Sequence, residues 1–79
     1  MNNYINEFES LFREVLENED IVLTNETTAP EIDEWDSINH IYLVVEIEKH
    51  FKIKFRSSEI LQWQNVGEMI ESVKAKKEN

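Results

Sequence analysis

Asp36-Ser37-Ile38-Asn39-His40-Ile41-Tyr42-Leu43-Val44-Val45-Glu46-Ile47-Glu48-Lys49-His50-Phe51 is the stretch on which the fold turns. Its middle, Ile41 to Val45, is a continuous apolar run with β-branched members, and alone it could pass for a buried strand. The wider spacing argues otherwise. Ile38, Ile41, Val44 and Val45, Ile47 and Phe51 recur every three or four residues, as on one side of a helix. Asp36 is a good N-cap, with Asn39 standing where a capping box prefers Glu or Gln. Residues 37–50 are also long for a strand in so small a chain. The segment is therefore predicted to be a helix, apolar over more than half its circumference. Such a helix is either deeply buried or keeps one face for a ligand or partner.

Ser37 then falls in the first helical turn, where no preceding turn covers it. Unpaired backbone N–H groups and the positive end of the helix dipole lie beside it, and both suit a phosphate. An ordinary helix start has the same features, so at this point both readings stand.

Working outward, Ile5, Phe8, Leu11, Phe12, Val15 and Leu16 predict a first helix over about 4–17, with Asn3 able to cap it and Asn18-Glu19-Asp20 ending it. From Asn18 to Asp36 the periodicity disappears, and Ile21, Leu23, Ile32 and Trp35 read as anchors of a long loop. Loops of this length are often functional or packed on themselves. Phe51, Ile53 and Phe55 alternate with Lys52, Lys54 and Arg56. No second strand is available to pair with them, so they read as an extended connection. Ser57 or Ser58 can cap a short helix over about 58–62. Asn65 and Glu68 have capping-box spacing, and Val66, Met69, Ile70 and Val73 form a helical stripe, giving a last helix over about 66–76. The basic tail from Lys74 is expected to fray. The fold expected is all-α: one domain, 1–79, a small antiparallel bundle of three longer helices plus one short helix, with a long first loop.

Composition removes several function classes. Seventy-nine residues with 41% hydrophobic content suit one small core, and a single Gly and a single Pro leave little turn chemistry for an all-β fold. Without cysteine there is no disulfide, thiolate metal site or thiol nucleophile. The formal charge of −9 makes nucleic acid and anionic membranes poor partners and basic protein surfaces better ones. No signal-length or membrane-spanning apolar run is present, so a cytoplasmic monomer is expected.

Asp36, Ser37 and His40 contain the residue types of a hydrolytic triad, but local helix neighbours rarely supply its geometry or an oxyanion hole. His40 and His50 are too far apart on one helix for a joint metal site, and no calcium loop is present, so no metal is expected. Trp63 reads as a cover for the bundle's end, and Lys52, Lys54 and Arg56 as a solvated basic patch.

Trp35-Asp36-Ser37-Ile38, followed by Leu43, Glu46-Ile47-Glu48 and Phe51-Lys52-Ile53, resembles the Asp-Ser-Leu motif and acidic amphipathic helix of acyl carrier proteins, within the phosphopantetheine-bearing carrier domains. Asn65-Val66-Gly67-Glu68 resembles the Thr-Val-Gly-Asp start of that family's last helix, and the likeness runs from about Tyr4 to Lys76. It implies that Ser37 carries 4′-phosphopantetheine through a phosphodiester, and that Asp36 helps a phosphopantetheinyl transferase dock. It further implies an acyl or aminoacyl cargo held as a thioester on the arm, a loading ligase and a downstream acyltransferase or synthase as partners, and no catalytic residue in the carrier itself.

The partner face departs from the family's pattern. Typical fatty-acid carriers have acids two and five positions after the serine; Asn39 and Tyr42 stand there instead. The helix end reads Glu48-Lys49-His50, and Glu46 adds an acid where a small residue is common. Loop acids, among them Glu34 and Asp36, still rim Ser37. Ile38, Asn39, Tyr42, Glu46 and Glu34 are the partner-binding residues this comparison implies. Because complementary charge selects partners, the altered face implies a dedicated biosynthetic pathway rather than general fatty-acid synthesis. Trp35 replaces the glycine many relatives have before their Asp-Ser and reads as loop or core packing, with shielding of the arm's root as the alternative. The competing function is a small acidic helical adaptor that binds a protein partner with Ser37 unmodified.

Overall fold

The computed structural model describes residues 4–77. Four helices follow in order: α1 (Ile5–Val15), α2 (Ser37–Phe51), α3 (Ser57–Gln62) and α4 (Val66–Lys77). No strand occurs among the described residues. Asn3, the expected cap of α1, lies outside them, as do Glu78 and Asn79 of the tail.

The periodic apolar positions of α1 deliver Phe8, Leu11 and Phe12 to the core. The helix stops at Val15, earlier than its periodicity suggests. Glu17 turns to φ 54°, and the Asn18 N–H returns to the Arg13 carbonyl at 3.1 Å, a Schellman closure. Glycine normally takes that left-handed position; a glutamate there costs roughly 1–2 kcal/mol. The Asn18 side chain instead accepts the Asp20 N–H at 2.9 Å.

The ambiguous central stretch is the helix its spacing predicts. The Asp36 carboxylate accepts the Asn39 N–H at 2.8 Å, capping α2. At the other end Lys52 takes φ 59°, and Ile53 N–H bonds the Glu48 carbonyl at 3.1 Å. The Glu48 carboxylate then accepts the Phe55 N–H at 2.8 Å, so this extended segment finds a side-chain acceptor for that donor instead of a neighbouring strand.

α1 and α2 run antiparallel, because their opposite ends meet. Tyr4 packs edge-on to Phe51 at 5.3 Å, Glu7 Oε1 lies 2.9 Å from His50 Nε2, and Phe12 meets Trp35 just before α2 begins. Leu43, Ile47 and Phe51 face this seam, and Val66, Met69, Ile70 and Val73 of α4 close the core.

The long loop is packed rather than free. Ile21 and Leu23 are buried, with Ile32 and Trp35 against the core. Arg13 Nε donates to the Ile21 carbonyl at 2.8 Å, and Glu9 accepts the Leu23 N–H at 3.0 Å, so the polar flank of α1 holds the loop backbone. A 3₁₀ turn at Ala29–Glu31, which periodicity does not show, is closed by Glu31 accepting the Thr28 N–H and hydroxyl, both at 2.9 Å.

Two terminal details differ from the sequence reading. Ser57 lies inside α3 rather than capping it, and Glu59 instead accepts the Arg56 N–H at 3.3 Å. The tail does not fray at Lys76: its ammonium pairs with Glu59 at 3.0 Å and sits 5.7 Å from the Phe55 ring centroid. The Asn65 cap is present, with Asn65 Oδ1 accepting the Glu68 N–H at 2.9 Å. The return bond of Glu68 goes to the Gln64 N–H, one residue before the cap.

Gly67 is required by a close approach. Its N–H donates to the Asn25 carbonyl at 2.8 Å, and a Cβ added there would come within 2.8 Å of that same oxygen. Gly67→Ala should therefore destabilise the fold by up to about 2 kcal/mol, since overpacking of about 1–3 kcal/mol is offset by a helix-propensity gain of only about 1 kcal/mol. A urea midpoint equal to or above that of the unaltered chain would contradict this.

Candidate functional site

α2 positions Ser37 at its first residue with an exposed side chain. The cap bond directs Asp36 toward Asn39, and the N–H groups of Ser37 and Ile38 have no partner among the described residues. The hydroxyl thus stands free beside two unpaired donors at the positive end of a long helix, an arrangement that fits a phosphodiester. The loop leading to it, residues 16–36, contains eight acids and no base.

The other predicted residues divide. Ile38 and Tyr42 are exposed, at 65% and 58%, and with Ile41 and Val45 they form an apolar stripe leading away from Ser37. This is the face of α2 that the bundle does not cover. Asn39 and Glu34 are half-buried and engaged in holding the loop. Asn39 Nδ2 donates to the Glu34 carbonyl at 2.8 Å, and the Glu34 carboxylate accepts from Asn18 at 3.3 Å. Glu46 makes only a long pair with Lys49, 3.8 Å.

One group of residues near Ser37 escaped sequence reasoning as a group. Trp35, His40 and Trp63 converge on a cleft of about 450 Å³ whose lining includes Asp36 and Ser37. Trp35 Nε1–H donates to His40 Nδ1 at 3.0 Å, with the two rings stacked at 5.9 Å. Trp63 approaches His40 edge-on at 6.4 Å, and its own N–H reaches Ser72 Oγ at 2.9 Å. The spacing of Trp35 and His40 hints at the first pair, but only the α3–α4 connection brings Trp63 to it.

This network also disposes of the triad types. An indole N–H can only donate, so His40 Nδ1 must accept, and it is committed to Trp35 rather than to Asp36. Among the described residues no group of three or more His, Cys, Asp or Glu is placed to hold a metal, and no helix is long and apolar enough to cross a membrane.

Burial lowers the pKa of His40 below the usual histidine value. The unfolded chain therefore binds a proton on this residue that the folded chain resists. Its contribution to stability is present at neutral pH and lost as pH falls below about 6.5 toward the lowered folded value. His40→Gln should flatten the decline of melting temperature between pH 7 and 5. An identical decline in both proteins would contradict it.

Comparison with known proteins agrees with this geometry. The family model for the phosphopantetheine attachment site matches residues 6–73. The solution NMR structure of a holo acyl carrier protein from Geobacter metallireducens superposes with a TM-score of 0.86 at 42% identity, covering 91% of this chain and 83% of that one. No curated protein matches the chain significantly. The chain belongs to the acyl carrier proteins, which are carriers rather than enzymes and hold their cargo on covalently attached 4′-phosphopantetheine.

Proposed function

We infer that Ser37 is the residue that bears the 4′-phosphopantetheine arm, and that the chain shuttles an acyl or aminoacyl group between the enzymes of one dedicated pathway. The observation that carries the first part is the exposed Ser37 hydroxyl at the start of a fifteen-residue helix, beside unpaired N–H groups and next to Asp36. When attached, the arm supplies a terminal thiol for thioester formation. The chain's own residues do the rest. Ser37 provides the oxygen for the phosphodiester, the first turn of α2 offsets the phosphate charge, and Asp36 holds that turn while presenting an acid to the transferase. Intact mass after incubation with a broad-specificity phosphopantetheinyl transferase, coenzyme A and magnesium tests this, with one phosphopantetheine per chain expected. A folded chain that gains no mass would leave the unmodified adaptor as the better reading.

The dedicated role is supported by the face beside Ser37. Ile38, Ile41, Tyr42 and Val45 offer partners exposed apolar contact, and of these Tyr42 stands where an acid is usual. Ile38 and Tyr42, with Glu46, Glu34 and Asn39 around them, are proposed to meet the loading ligase and the downstream acyltransferase or synthase. Docking through apolar area is less sensitive to salt than docking through exposed charge. The holo chain should therefore be a poor acceptor for the malonyl transferase of fatty-acid synthesis, whose preference is read by comparison with a fatty-acid carrier. Equal rates with both carriers would overturn the dedicated role.

A further inference from the structure

We propose that the groove at the far end of α2, lined by Val45, Ile53, Lys49, Lys52 and Lys54, is a second docking point that receives an acidic segment, bearing an apolar side chain, on the surface of the partner enzyme. This rests on the carrier reading, which supplies the enzyme, and adds the charge that such an enzyme must present.

Charge is segregated along the chain. Residues 49–56 hold Lys49, Lys52, Lys54 and Arg56, half of the chain's eight Lys and Arg, and no acid. The loop leading to Ser37 is the reverse, with eight acids and no base over residues 16–36. The fifteen residues of α2 separate the two regions by roughly 20 Å, at a helical rise of about 1.5 Å per residue. That distance is about two Debye lengths at about 0.1 M salt. The loop acids therefore do little to neutralise the lysines, and a partner lying along α2 meets two patches of opposite sign.

The bases elsewhere are engaged within the fold. Arg13 lies 3.1 Å from Glu9, Lys74 3.9 Å from Glu71 and Lys76 3.0 Å from Glu59. Lys52 and Lys54 are exposed and form no ion pair among the described residues, while Lys49 reaches only Glu46, at 3.8 Å. Glu48, the acid in the lining, accepts the Phe55 N–H at 2.8 Å through its carboxylate and the Ile53 N–H at 3.1 Å through its carbonyl. Those bonds fix the backbone on both sides of Lys54, so covering this surface orders little new chain.

The shape of the groove suits the same occupant. Its volume of about 510 Å³ is that of a recess rather than a flat face, and Val45 and Ile53 give it apolar lining. Val45 is 40% exposed and also belongs to the uncovered stripe of Ile38, Ile41 and Tyr42, so an enzyme lying on that stripe reaches the groove without a break. An anionic membrane fits less well, because it would face the acidic loop too and repel a chain of −9. A second copy would have to bring its acidic loop to the groove, a head-to-tail contact that closes no dimer. A uniformly basic partner surface meets the three lysines as repulsion, so the groove rejects such partners as well as admitting its own.

The test titrates the ¹⁵N-labelled full chain with the hexapeptide Glu-Leu-Glu-Glu-Leu-Glu, and with Lys-Leu-Lys-Lys-Leu-Lys as the control. Saturable amide shifts over residues 45–54 are expected with the acidic peptide alone, weakening as salt is added. Lys52→Glu combined with Lys54→Glu should lower the affinity at least about tenfold. If that pair does not fold, Lys52→Gln with Lys54→Gln carries the comparison, with a loss in the same direction. No shift at millimolar acidic peptide, shifts spread over the whole chain, or an equal response to the basic peptide overturns the groove. Sedimentation of the chain with phosphatidylglycerol vesicles, or self-association that the charge reversal removes, overturns the enzyme as occupant in favour of a membrane or a second copy. None of these readouts uses the Ser37 hydroxyl, so their failure leaves the attachment point standing. Failure of the carrier reading shows separately, as an intact mass that the transferase leaves unchanged, and it removes the enzyme from the proposal.

Discussion

Ser37→Ala should abolish phosphopantetheine addition completely while leaving the fold intact. The expected separation is sharp because the two roles of this position are physically independent. Its hydroxyl oxygen is the only atom the phosphodiester needs from the residue, and alanine has none. Structurally the side chain is exposed at the first position of α2. Alanine is at least as good a helix former there, and the cap comes from Asp36 rather than Ser37. Stability should stay within about 0.5 kcal/mol of the unaltered chain. Intact mass and a thermal melt on the same sample read both halves. Continued mass gain by the folded variant would move the attachment point, with the exposed hydroxyls of Ser57 and Ser58 the next to try.

Phe8→Ala should leave the chain largely unfolded at room temperature. Phe8 is fully buried, stacked with Phe12 at 6.5 Å and against Phe51 at 5.8 Å, so it joins α1 to the end of α2. Truncating such a ring costs about 3–5 kcal/mol, from lost transfer energy and the cavity left behind. A core of this size rarely supplies more than about 3–5 kcal/mol in total, so one substitution can exhaust the margin. Far-UV circular dichroism should show helix content falling and the cooperative melt disappearing. Leu61→Ala is the control, since Leu61 is 84% exposed and its loss should change little. A cooperative transition for Phe8→Ala within a few degrees of the parent would show that the bundle collapses around the gap.

Legibility in the sequence followed the range of the interaction responsible. The three longer helices were readable because each has a periodic apolar stripe and two have a local cap; Asp36 and Asn65 act within three residues of themselves. The 3₁₀ turn at Ala29–Glu31 was also local, and its signal was present in Thr28 and Glu31 at capping-box spacing around Pro30. The helix ends were less readable. Glu17 and Lys52 occupy left-handed positions that normally announce themselves as glycine, and here exposed ordinary residues fill them while the next N–H closes back on the helix. Asn39 shows the same limit at the site. Its place in the sequence suggested a partner contact, yet its amide is engaged by the Glu34 carbonyl, five residues back across the loop–helix junction.

The sequence by itself determined that this is a small helical bundle with one serine displayed at a helix start. Apolar spacing and capping are properties of neighbouring residues and need no tertiary partner to be recognised. Tertiary structure alone decided what surrounds that serine. Trp63 is twenty-six positions from Ser37, and nothing local predicts that the α3–α4 connection will carry it to His40 and Trp35. Nor does helical periodicity reveal which apolar residues of α2 the bundle leaves uncovered. Ile41 and Tyr42 face solvent while Leu43 and Ile47 are buried, because α1 and α4 can reach only one side of that helix.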